Sequence, residues 1–133
     1  DQLKSLTNLL LMSEIVGDRH ALLESILLKA KHAELLAERL GCESSDKFFL
    51  AGMLSMIDVC VGMSLAEVLQ QLPLPAEYVK AIVERNGKVG IVLNSVEQYA
   101  KGEPISDSLA TQDELKATYL ESLQWVDQFL SAL

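Results

Sequence analysis

The stretch Phe48 to Met63, FFLAGMLSMIDVCVGM, decides how the rest of the chain is read. Its sixteen residues carry one charge, Asp58, and Ser55 is the other polar interruption. A surface helix shows a single apolar stripe, whereas this segment is apolar on every face, the pattern of a helix buried in a core. It is shorter than the roughly 20 residues that span a bilayer and it holds a carboxylate, so the reading is a core helix and not a membrane span.

Outward from that segment, almost everything has helical spacing. Arg19 to Leu40 is the longest periodic run, with Leu22, Ile26, Ala30, Ala33, Ala37 and Leu40 on one stripe and Gly41 as its stop. Gln2 to Ile15 precedes it. Ser64 and Glu67 form a capping-box pattern that opens a short helix, Leu65 to Gln71, and Pro73 ends it. Pro75 suits the first turn of a helix running to Arg85, and Asn86-Gly87 breaks the chain. Val89 to Lys101 is amphipathic, Gly102 to Ser108 is a polar loop, and Thr111 with Glu114 caps a last helix to about Ala132. Val89–Leu93 is the best strand candidate, but helix formers flank it. The predicted fold is all-α: a compact bundle of about seven helices around a central buried helix, in one domain over residues 1–133.

The totals narrow the function classes. Half of the 133 residues are hydrophobic and 23% are charged, the balance of a globular domain with a real core. Eleven basic residues against nineteen acidic ones give a net charge of -8, which repels nucleic-acid backbones and anionic membrane surfaces. Neither partner is expected. Cys42 and Cys60 lack metal-ligand spacing, and Cys60 reads as a small hydrophobe. No signal peptide, lipidation motif or membrane-spanning run is visible, so the expected location is the cytoplasm. The sequence opens at Asp1 without a Met, and it reads as a piece of a longer protein.

Few residues invite chemistry. His20 and His32 lie twelve positions apart on one helix, roughly 18 Å, too far to share an ion, and each is read as a surface or flank residue. Gly87-Lys88-Val89-Gly90 lacks the spacing and setting of a phosphate loop. Asp58, in apolar surroundings, needs hydrogen bonds or a cationic partner: it accepts bonds from nearby backbone or caps a neighbouring helix, or else it marks a remnant site or a switch point. Leu28, His32 and Leu35 lie round the cylinder from the main stripe of the long helix. A helix oily on two sides is central in its domain or docked to another chain, and these three are the candidate interaction face.

The runs Lys29–Ala37 (KAKHAELLA), Phe49–Asp58 (FLAGMLSMID) and Leu65–Leu74 (LAEVLQQLPL) resemble the HDOD domain. This is a signalling relative of the HD phosphohydrolases, and the closest resemblance is to the version found beside EAL domains in bacterial cyclic di-GMP proteins. Tyr99 with Gly102, and the closing helix around Tyr119 and Trp125, fit the same pattern. In the catalytic HD class a His-Asp pair follows the Gly-Leu-Leu position; here Ser55 and Met56 stand there. Methionine offers no hard oxygen ligand and serine a poor one.

The resemblance therefore implies no metal, no cofactor and no hydrolysis, and a non-catalytic regulatory module that contacts a protein partner or a neighbouring domain. Self-association is an open alternative. It also implies the C-terminal part of a longer protein, whose missing N-terminal portion would hold any phosphodiesterase activity. Two rival readings are a metal-dependent HD-type phosphohydrolase and a helical domain that senses a small molecule.

Overall fold

The computed structural model describes residues 20–56, 64–105 and 110–132. The expected first helix, Asp58, Cys60 and the side chain of His20 lie outside the described residues. Within them the chain is helical, with no strand, in six helices. These are α1 (His20–Arg39), α2 (Ser45–Leu54), α3 (Leu65–Gln70), α4 (Ala76–Val83), α5 (Gly87–Lys101) and α6 (Gln112–Ser131). None of them is long and apolar enough to cross a membrane.

Local chemistry sets the ends of these elements. Gly41, at φ 76°, closes α1, and the Cys42 N–H returns to the Ala37 carbonyl at 2.9 Å. Gly102, at φ 70°, closes α5 in the same way, with the Glu103 N–H on the Gln98 carbonyl. Thr111 and Glu114 complete a two-way capping box at the start of α6, and the Ser64 side chain accepts from the Glu67 N–H at the start of α3. The break at Asn86-Gly87 is sharper than the sequence suggests. Arg85 and Gly87 both take the left-handed conformation, at φ 59° and 63°. A Cβ at Gly90 would overlap the Arg85 carbonyl, so the absence of a side chain at position 90 is what admits this turn.

One expectation needs correcting. The apolar segment from Phe48 is not a single helix to Gly62: α2 ends at Leu54. The Ser55 hydroxyl donates back to the Gly52 carbonyl at 2.8 Å, and the Met56 N–H tightens to the Met53 carbonyl three residues earlier. A hydrophobicity count does not register a serine that turns inward on its own backbone.

The long helix α1 makes the broadest contacts, packing against α2, α5 and α6. One side of it places Ala33, Leu36 and Ala37 in a core with Phe48, Leu69, Ile82, Val92 and Leu115. Another side places Ile26, Leu27 and Ala30 with Phe49, Met53 and Val126. The α1–α2 crossing is close because Gly52 has no side chain; a Cβ there would lie 2.8 Å from the Ala30 Cα. Along α6, the Lys31 ammonium bonds Glu34 at 2.6 Å and sits 4.8 Å from the Trp125 ring centre. Burial pushes the Glu34 carboxyl above its usual range, against the pull of Lys31. Where α1, the end of α2, α5 and α6 converge, these contacts leave a gap.

Candidate functional site

That gap is a cavity of about 420 Å³. α1 supplies Ser25, Leu28, Lys29 and His32; the residues after α2 supply Ser55 and Met56; α5 supplies Val96, Glu97, Ala100 and Lys101; α6 supplies Tyr119. Successive turns of α1 and of α5 face each other here, which is why residues three or four apart recur in both contributions.

Four residues singled out in the sequence thus share one wall: Leu28, His32, Ser55 and Met56. Leu35 is half-buried elsewhere on α1. Asp58 lies outside the described residues.

His32 is not the surface residue that the sequence suggests. It is 2% exposed. Its Nε2 lies 3.2 Å from the Leu115 carbonyl and 3.0 Å from the Thr118 hydroxyl of α6. A carbonyl only accepts, so Nε2 carries the proton and donates, leaving Nδ1 as an acceptor. The ring meets Tyr99 and Tyr119 edge-on, at 5.8 and 5.6 Å between centres. Burial lowers its pKa to about 4, so the imidazole is neutral at physiological pH. Because α6 covers this side of α1, a partner cannot dock on a face formed by all three of Leu28, His32 and Leu35.

Two more lining residues, Lys29 and Glu97, belong with Arg85 to a charge cluster that sequence reasoning missed. Lys29 Nζ lies 2.6 Å from Glu97 Oε2, and Arg85 Nη2 lies 3.1 Å from the same oxygen. Two cations thus share one carboxylate, and Lys101 is close enough to Lys29 to act on its titration. Burial lowers the Lys29 pKa, and its hydrogen bond to Glu97 partly restores it. Arg85 Nη1 is buried with no hydrogen-bond partner among the described residues. The available sequence signal was a lysine on the otherwise apolar side of α1, together with the Glu97–Lys101 spacing of one helical turn.

The Ser55 proton is committed to the Gly52 carbonyl, and His32 bonds α6 and not Ser55. No group of three or more His, Cys, Asp or Glu side chains among the described residues could hold an ion.

No protein-family model matches the chain, and no solved structure does. Two curated proteins are similar to it. The uncharacterized protein YuxH of Bacillus subtilis (strain 168) is 27% identical over 120 residues, 87% of this chain and 29% of that protein. The cyclic di-GMP phosphodiesterase CdgJ of Vibrio cholerae is 32% identical over 76 residues, 57% of this chain and 16% of that protein. The chain therefore spans less than a third of either relative and is similar, over little more than half of its own length, to part of a cyclic di-GMP phosphodiesterase.

Proposed function

We propose that this chain is a non-catalytic helical module of the HDOD kind. It serves bacterial signalling related to cyclic di-GMP by contacting a protein partner or a neighbouring part of the same polypeptide. One observation carries the reading: Ser55 and Met56, the residues at the positions that the resemblance assigns to the His-Asp pair, both line the cavity. The similarity to a cyclic di-GMP phosphodiesterase supports the signalling context. The mechanism is a population shift, in which a partner binds one packing of the helices better than another and favours it by that difference.

Two measurements test this. The purified chain, supplied with Mg²⁺ or Mn²⁺, is expected to leave cyclic di-GMP intact; metal-dependent turnover would establish the phosphohydrolase reading instead. Deleting the matching 76-residue segment from the Vibrio cholerae relative is expected to change that enzyme's rate without abolishing it. An unchanged rate would count against a regulatory role.

A further inference from the structure

The cavity is lined by cations in a protein that is otherwise acidic. With a net charge of -8, the chain has no general tendency to hold anions, so a local excess of positive charge needs its own explanation. Glu97 offers one carboxylate to Lys29 and Arg85, and both use the same oxygen. The Lys29 ammonium has three protons and gives one to Glu97, while Lys101 at the exposed rim forms none of the ion pairs found among the described residues. The rest of the wall is of another kind. Leu28, Met56 and Val96 present apolar surface, and the His32 imidazole beside them is neutral. The volume, about 420 Å³, falls in the roughly 300–1,000 Å³ range of small-molecule sites.

We infer that this cavity binds a small amphipathic anion. A carboxylate or phosphate head is held by Lys29 and Lys101, and an apolar body lies on Leu28, Met56 and Val96. Charge complementarity selects the head, because a cationic group of the same shape meets two ammonium ions. The inference does not depend on the regulatory role, since a ligand can bind here whether or not a partner docks elsewhere.

The test measures binding by calorimetry and by the shift in unfolding temperature, using octanoate, octyl phosphate and octyltrimethylammonium. Octanoate and octyl phosphate are expected to raise the unfolding temperature with concentration, and the stronger of the two identifies the head group. Octyltrimethylammonium is expected to leave it unchanged. Lys101→Glu should weaken anion binding about tenfold or more. Ala100→Trp, which fills the cavity from its rim, should abolish it. Both positions are exposed, so the circular-dichroism spectrum should stay that of the parent. Three results would overturn the inference: no binding of either anion, equal binding of the cation, or anion binding that survives both substitutions in folded protein.

Discussion

His32 shows how much one neutral ring controls. Its pKa in the folded chain is about 4, against 6.5 for a free imidazole. Between those values the unfolded chain binds a proton that the folded chain refuses, so stability rises with pH through this window and falls on acidification. The difference, 6.5 minus 4, corresponds to about 3 kcal/mol at most. Urea midpoints should therefore drop between pH 6.5 and pH 4, and His32→Gln should flatten that part of the profile relative to the parent. Equal slopes in the two proteins would show that carboxylates alone set the acid limb. The sequence placed His32 on a second apolar side of its helix yet read it as a surface or flank residue, and it is buried. The sequence could not tell that Leu115 and Thr118, more than eighty positions away, roof that side. Residue spacing reports which side chains share a face, not what covers the face.

At the scale of the element, the α1–α2 crossing is the sensitive contact. Gly52→Ala would set a methyl 2.8 Å from the Ala30 Cα, against backbone that cannot step aside within a helix. The expected cost is about 1–3 kcal/mol, read from the shift in denaturant midpoint at constant slope. Cap signals were the most legible part of the sequence. Gly41, Thr111 with Glu114 and the Asn86-Gly87 break act where they were expected, Ser64 forms only its own half of the expected box, and Ser44 caps α2 without a side-chain bond. The end of α2 was not legible, because the apolar run continues past Leu54 without a glycine until Gly62 and without a proline. At that end the Ser55 hydroxyl bonds back to the Gly52 carbonyl, a contact that serine makes or omits according to its surroundings.

For the whole molecule, charge sets the expectations. A net charge of -8 on 133 residues gives a self-repulsion that salt screens. Raising NaCl from 10 to 150 mM should increase the unfolding temperature by a few degrees, roughly 0.5–1 kcal/mol for a domain of this size. A decrease would mean that the Lys29–Glu97–Arg85 cluster outweighs the surface field. The cavity itself was out of reach of the sequence, since it exists only where parts of four helices meet.

The turn before α5 has one more consequence. Arg85 reaches Glu97 from a left-handed backbone that Gly90 alone permits. A survey confined to the residues that line the cavity would pass over Gly90, because it is not one of them. Yet any larger residue there would force the guanidinium off its carboxylate and release Lys29 to bargain with Glu97 alone. The tuning screw for the cavity's charge is thus a residue with no side chain, and a mutational library that ignores it would misattribute the effect to its neighbours.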